Sequence, residues 1–284
     1  MIPTAFDYQR ATSIDDALAK LQAASGGKLL AGGHSLVPLM KLRLSEPTVL
    51  IDVARIPGLS GIREKDGKIE IGAGTTHSDV AGSALLRQVC PVVAETAAAI
   101  GDPQVRNRGT LGGSLAHADP AADYPAAMLA LDAEIHMKGP KGWRKVKATD
   151  FFQGLFTVDL APDEIIAKVT FKPVKAAAYA KLHQRASHFA IVGVAAALEV
   201  KNGVIQSARI GLTGASSHAT RLTDVEKALE GKQASAATIE TAARNAGATL
   251  EDINSDIHAS SDYRRAMVQV FTERALKGAL ARVG

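Results

Sequence analysis

Two short stretches carry the residue types that can hold an anion. The first is "LAGGHS": Leu30, Ala31, Gly32, Gly33, His34 and Ser35. An apolar run ends there in paired glycines, and "LVPLMKLRL" follows with the look of a short helix. Glycine lets the backbone turn with positive φ and puts no side chain in the way. Successive N–H groups can then converge on one point, Ser35 adds a hydroxyl, and a helix start adds its positive end. The second stretch is "GTLGGS", residues 109–114. Gly109, Gly112 and Gly113 clear space around Leu111, while Thr110 and Ser114 supply hydroxyls. Two such loops can grip the two phosphates of one dinucleotide. Neither matches the phosphate-loop lysine motif or the G-x-G-x-x-G spacing, so on the loops alone a tight corner is the simpler reading.

Other polar residues stand close by in sequence. Asp123 follows the second loop and can accept from a ribose hydroxyl pair, or cap the helix that "YPAAMLAL" predicts. His117 and Asp119 lack further ligands at metal-site spacing, so no metal is expected. The single cysteine, Cys90, excludes an internal disulfide and leaves no set of four thiolates for an iron–sulfur cluster. It lies in the apolar "LLRQVCPVV" and reads as a small core residue. Redox chemistry in this chain would need an organic cofactor.

The elements that must position these residues can be read from periodicity. Helices are expected over 12–27, 36–44 and 83–100, and strands over 28–31, 48–53 and 68–74. "YPAAMLALDAEIHM" (124–137) reads as a helix running into a strand. Four strand-like runs follow at 164–172, 179–187, 190–200 and 204–216, with Asn202–Gly203 as a hairpin turn, and helices close the chain. The boundary falls near 175, where "KPVKAAAYA" looks like a linker. It gives domains 1–175 and 176–284. The apolar share of 46% against 22% charged suits a chain that buries a real core. No apolar run reaches the length of a membrane span, and "MIPTAFDYQRATS" has no signal-peptide pattern, so a cytoplasmic location is expected. The basic "KGPKGWRKVK" (138–147) reads as a solvated hairpin; with aromatics at 4% there is no base-stacking platform for nucleic acid.

The wording of longer stretches is more specific than either glycine pair. "AGGHSL", "IGAGTTHSDV", "IGDPQVRNRGTLGGSLAHADPAADYPAAMLAL", "LAPDEIIAKVTF" and "YAKLHQRASHFAIVGVAAAL" resemble the flavin-binding medium subunit of the molybdenum hydroxylases, the xanthine dehydrogenase and aerobic carbon monoxide dehydrogenase family. The resemblance spans essentially the whole chain. It implies an α+β fold: a two-part FAD-binding domain of the vanillyl-alcohol-oxidase (PCMH) type, then a C-terminal domain of antiparallel sheet plus helices. It implies non-covalent FAD, with Leu30–Ser35 and Thr110–Ser114 holding the pyrophosphate through backbone N–H groups and hydroxyls. It places Asp123 at the ribose–adenine side, Ile166 at the adenine, and Lys181 near the flavin ring. Ile100, Phe189 and His77 fall near the isoalloxazine. It implies molybdopterin in a large partner subunit and two [2Fe–2S] clusters in a small one, assembled as a dimer of heterotrimers. No substrate-binding group is implied in this chain, and substrate and electron acceptor stay open. A self-sufficient FAD oxidase of the same fold, or a scaffold whose loops are only turns, are the competing readings.

Overall fold

A computed structural model describes residues 2–284. The chain opens with a parallel three-stranded sheet. Its central strand Val49–Asp52 is flanked by Asp7–Arg10 and Gly27–Leu30. The helix Ile14–Ala23 makes the crossover, and Ser13 caps it by accepting from the Asp16 N–H. A five-stranded antiparallel sheet follows, ordered Ile62–Lys65, Lys68–Gly72, Ile165–Phe171, Glu134–Gly139, Gly142–Lys147. Six short helices lie between its second and fourth strands in that order. The basic 138–147 stretch is the hairpin of the last two strands.

Two expectations change here. The apolar run 83–100 is two helices, Ala84–Val89 and Pro91–Ala98, because Pro91 lacks an N–H and cannot continue the first one. Cys90 sits buried at that break, and burial pushes its thiol up to about 12. The strand Ile165–Phe171, read as the start of the later antiparallel run, is the middle strand of the earlier sheet. It is buried along almost its full length: it is the middle strand, and the helices Ile14–Ala23 and Leu111–His117 pack against it.

The second sheet runs Ala177–His183, Ala190–Lys201, Val204–Thr213, Thr220–Arg221 in antiparallel order. Asn202 and Gly203 both have positive φ at its hairpin, as a tight two-residue turn requires. "AIVGVAAALEV" lacks polar alternation because both faces of its strand are covered. Val192, Val194, Ala196 and Leu198 point into a core closed by the helices Thr223–Leu229, Ala236–Ala243 and Ser261–Leu280. Ala195 and Ala197 point the other way, into the core of the first domain. Residues on that face are small so that the helix Tyr124–Ala130 can lie almost on the backbone. A Cβ at Gly211 would run into the Ala126 carbonyl. The start of that helix, with Asp123, is therefore pinned between the two domains.

Candidate functional site

The two glycine stretches meet. A Cβ on Gly32 would collide with the Arg108 carbonyl oxygen and lie 2.8 Å from Gly109 Cα. Glycine at 32 is what lets one loop lie against the other. Both border one cleft of about 450 Å³, within the range of cofactor-sized sites. Gly33 turns the first loop with φ +77°. Among the described residues, no carbonyl or side chain accepts from the N–H groups of Gly32, Gly33, His34 or Ser35. Four successive free donors at one bend, ahead of the helix Leu36–Lys41, can together bind an anion.

The second loop works differently from expectation. Its amides are spent inside the chain: Leu111 N–H donates to Thr75 O, Gly112 to Ala73 O, Gly113 to Thr110 Oγ1 and Ser114 to Thr110 O. These bonds start the helix Leu111–His117 and dock it on the 73–75 turn. The backbone N–H groups of residues 111–114 are thus already paired within the chain, unlike those of the first loop. What this loop offers is the hydroxyls of Thr110 and Ser114 and a surface with no side chain at Gly113. Leu111 is fully buried and its side chain faces the core, away from the cleft.

Of the other expected residues, Leu30, Ala31, His77, Ile100, Asp123, Ile166 and Phe189 also line the cleft. Lys181 does not. Its side chain is 5% exposed, and its ammonium donates to Ala99 O and Asp123 Oδ2, each at 2.9 Å. The expectation that it lies beside the flavin ring is not matched by this placement: Asp123 stands between its charge and the cleft. Asp123 occupies the position before the helix Tyr124–Ala130 but makes no side-chain cap bond. Its second oxygen accepts from the Tyr179 hydroxyl at 2.5 Å. Burial raises its carboxyl above the ordinary range, against the pull of Lys181 and Tyr179.

His77 begins the helix His77–Gly82, with Gly109 packed so close that a Cβ there would be 2.5 Å from His77 Nε2. Its ring is buried, and burial, with the nearby His34 and Arg106 charges, pushes it down to about 4. It is neutral at pH 7, and its buried Nδ1 has no protein partner among the described residues. Ser187 and His188 reach the cleft beside Phe189, on the turn between strands Ala177–His183 and Ala190–Lys201. Phe189 is half exposed there. Ser187, His188 and Glu164 line the cleft without having been expected there; for Ser187 and His188 the only signal is the polar composition of their turn, which looks like any surface hairpin. His117 and Asp119 border the cleft too. No group of three His, Cys, Asp or Glu that could hold a metal occurs among the described residues.

Four amides without a partner among the described residues, on a bend bordering a cofactor-sized cleft that Leu160, Ile165 and Ile166 also line, suit a phosphate-bearing ligand with an apolar body. The chain belongs to the flavoproteins of the molybdopterin dehydrogenases: the family described as "FAD binding domain in molybdopterin dehydrogenase" matches residues 4–173, and "CO dehydrogenase flavoprotein C-terminal domain" matches 177–279. Among individual relatives it is 39% identical to the carbon monoxide dehydrogenase medium chain of Hydrogenophaga pseudoflava, over 99% of both chains. It is 38% identical to the 6-hydroxypseudooxynicotine dehydrogenase complex subunit alpha of Paenarthrobacter nicotinovorans, over 99% of this chain and 97% of the relative. The solved carbon monoxide dehydrogenase of Hydrogenophaga pseudoflava superposes with a TM-score of 0.95 at 40% identity, covering 100% of each chain. The chain is thus an oxidoreductase component with an FAD-binding domain, and no described helix is long and apolar enough to cross a membrane.

Proposed function

We propose that this chain is the electron-relaying subunit of a molybdenum hydroxylase. It takes electrons from the [2Fe–2S] clusters of a small partner subunit and passes them to an external acceptor, while a large molybdopterin subunit oxidises the substrate. The observation that carries the reading is the run of four amides, Gly32 to Ser35, without a partner among the described residues and bordering a cleft of cofactor size. The assembly we propose is a dimer of heterotrimers in the cytoplasm. Relatives named for carbon monoxide and for 6-hydroxypseudooxynicotine match this chain over nearly its whole length, which supports a substrate set by the large subunit rather than by this chain.

Bound FAD supplies the redox chemistry, an isoalloxazine that takes up electrons and gives them up again. This chain's residues bind and shield it. The Gly32–Ser35 nest neutralises pyrophosphate oxygens with N–H groups that need no reorganisation, and the Thr110 and Ser114 hydroxyls complete the grip. Asp123 accepts from ribose hydroxyls, and Leu160, Ile165 and Ile166 exclude water from the adenine. Ile100 and Phe189 cover the ring region. The neutral His77 ring presents a nitrogen that can accept or donate without adding charge.

Among the described residues no group of three His, Cys, Asp or Glu could hold a metal, and on this reading no side chain of the chain is assigned to attack or deprotonate an organic substrate. The FAD-loaded chain alone, mixed anaerobically with carbon monoxide, an aldehyde or an N-heterocycle, is expected to keep its visible flavin absorbance. Adding the molybdenum and iron–sulfur subunits should bring bleaching by one of these substrates. Bleaching by the chain alone would make it a self-sufficient oxidase and end the relay reading.

A further inference from the structure

The cleft wall at residues 119–123 belongs by sequence to the first domain, but the second domain holds it at nearly every residue. Thr213 Oγ1 donates into this wall at Pro120 O and Ala122 O, at 2.9 and 2.7 Å. Gly214 N–H donates to Pro120 O and Ala190 N–H to Ala121 O. Tyr179 and Lys181 then close on the Asp123 carboxylate: the hydroxyl donates to Oδ1, and the ammonium spans both oxygens at 2.8 and 2.9 Å. The two donors are two residues apart on one strand, so they leave the same face of the sheet. Tyr179 also ties down the first domain through its backbone, donating to Glu95 Oε2.

The fit around Tyr179 is specific. Gly193 lies diagonally across the strand pair, and a Cβ there would run into the Tyr179 hydroxyl. Glycine at 193 leaves the corridor through which the phenol reaches Asp123. Burial and the neighbouring Asp123 charge keep that phenol protonated, so it is a permanent donor. Lys181 supplies the opposite charge that a buried carboxylate needs. Tyr179 adds no charge. Its effect is directional: the ammonium lies across both oxygens and by itself treats them alike, whereas the hydroxyl engages Oδ1 alone and so distinguishes one oxygen from the other.

We propose that Tyr179 is a positioning residue for nucleotide binding: with Thr213 holding the backbone, it sets the Asp123 carboxylate so that its remaining lone pairs face the cleft and select the adenosine half of the cofactor. The proposal rests on the reading of the cleft as an FAD site with Asp123 at the ribose. In consequence the C-terminal domain, which contributes little lining of its own, governs affinity for the adenosine half.

The test uses the full chain freed of flavin, with ADP and FMN as separate probes followed by calorimetry. Tyr179→Phe removes one oxygen from a buried ring. It should weaken ADP about tenfold, the worth of one hydrogen bond to a charged group, and leave FMN within about twofold of the parent chain. Thr213→Val, which keeps the side-chain shape, should weaken ADP in the same selective way and serves if Tyr179→Phe does not fold. General loosening of the fold would lower both probes together, and that result overturns the proposal. Asp123→Asn separates the layers of the argument. If it weakens ADP while Tyr179→Phe and Thr213→Val do not, Asp123 contacts the ribose and the positioning role is wrong. If none of the three alters ADP binding, the assignment of Asp123 to the ribose fails, and the positioning role with it.

Discussion

Gly32→Val is expected to cost the chain its FAD, with affinity falling about a hundredfold or more. A Cβ at Gly32 meets the Arg108 carbonyl and the Gly109 backbone, and neither is a flexible side-chain end that can swing away. The loops must separate. Separation moves the four free amides relative to the Thr110 and Ser114 hydroxyls, and charge-assisted bonds to phosphate lose strength quickly as they lengthen. Gly33→Val acts by another route. Its φ of +77° costs about 1–2 kcal/mol for a residue with a Cβ, while its neighbours there, Leu30 and Val37, are side chains that can give. The expected order of FAD loss is therefore Gly32→Val first and Gly33→Val second. Equilibrium dialysis against FAD checks it, with circular dichroism to confirm folded chains. Parent-like affinity in both variants would reduce the first loop to a tight corner.

Lys181→Ala is expected to destabilise the flavin-free chain by about 3–5 kcal/mol, the usual cost of leaving one partner of a buried ion pair alone. Asp123 and Lys181 are each 5% exposed at the side chain, so water cannot take over the lost bond. The Tyr179 hydroxyl remains on Asp123, but it brings no positive charge. Ala99 O loses its donor as well. For a chain of this size the melting temperature should drop by about 10 °C. The double variant Asp123→Asn with Lys181→Met should recover much of that loss, because it removes the buried charge instead of stranding it. A melting temperature within about 2 °C of the parent in Lys181→Ala would show that the pair carries little stability.

The first loop could be read from sequence because everything it needs is local: a strand, two glycines, a hydroxyl and a helix start lie in consecutive residues. The second loop looks equivalent in one dimension and is not. Its amides are consumed by the carbonyls of Ala73 and Thr75, far upstream in sequence, and only the folded chain brings those groups together. The burial of Lys181 is not legible in sequence, because "KLHQR" is polar throughout and its partner Asp123 lies far upstream. The hydrophobic pattern located nearly every long element, and it failed where a single residue overrides periodicity, as Pro91 does. It also passed over the strands Asp7–Arg10 and Ile62–Lys65, whose exposed polar residues give no alternation to detect. Ile165–Phe171 was found but assigned to the wrong side of the change in pattern, since strand order in a sheet is not written in strand sequence.

The central claim is that FAD is held at its phosphates by the amides of Gly32, Gly33, His34 and Ser35, while those of Leu111 to Ser114 serve the protein's own fold. Hydrogen exchange of the individual backbone amides, with and without saturating FAD, tests it directly. The account predicts fast exchange at residues 32–35 in the flavin-free chain and marked slowing when FAD binds. Residues 111–114 should be protected in both states. Exchange at 32–35 that stays unchanged at full FAD occupancy, with new protection appearing at 111–114 instead, would contradict it.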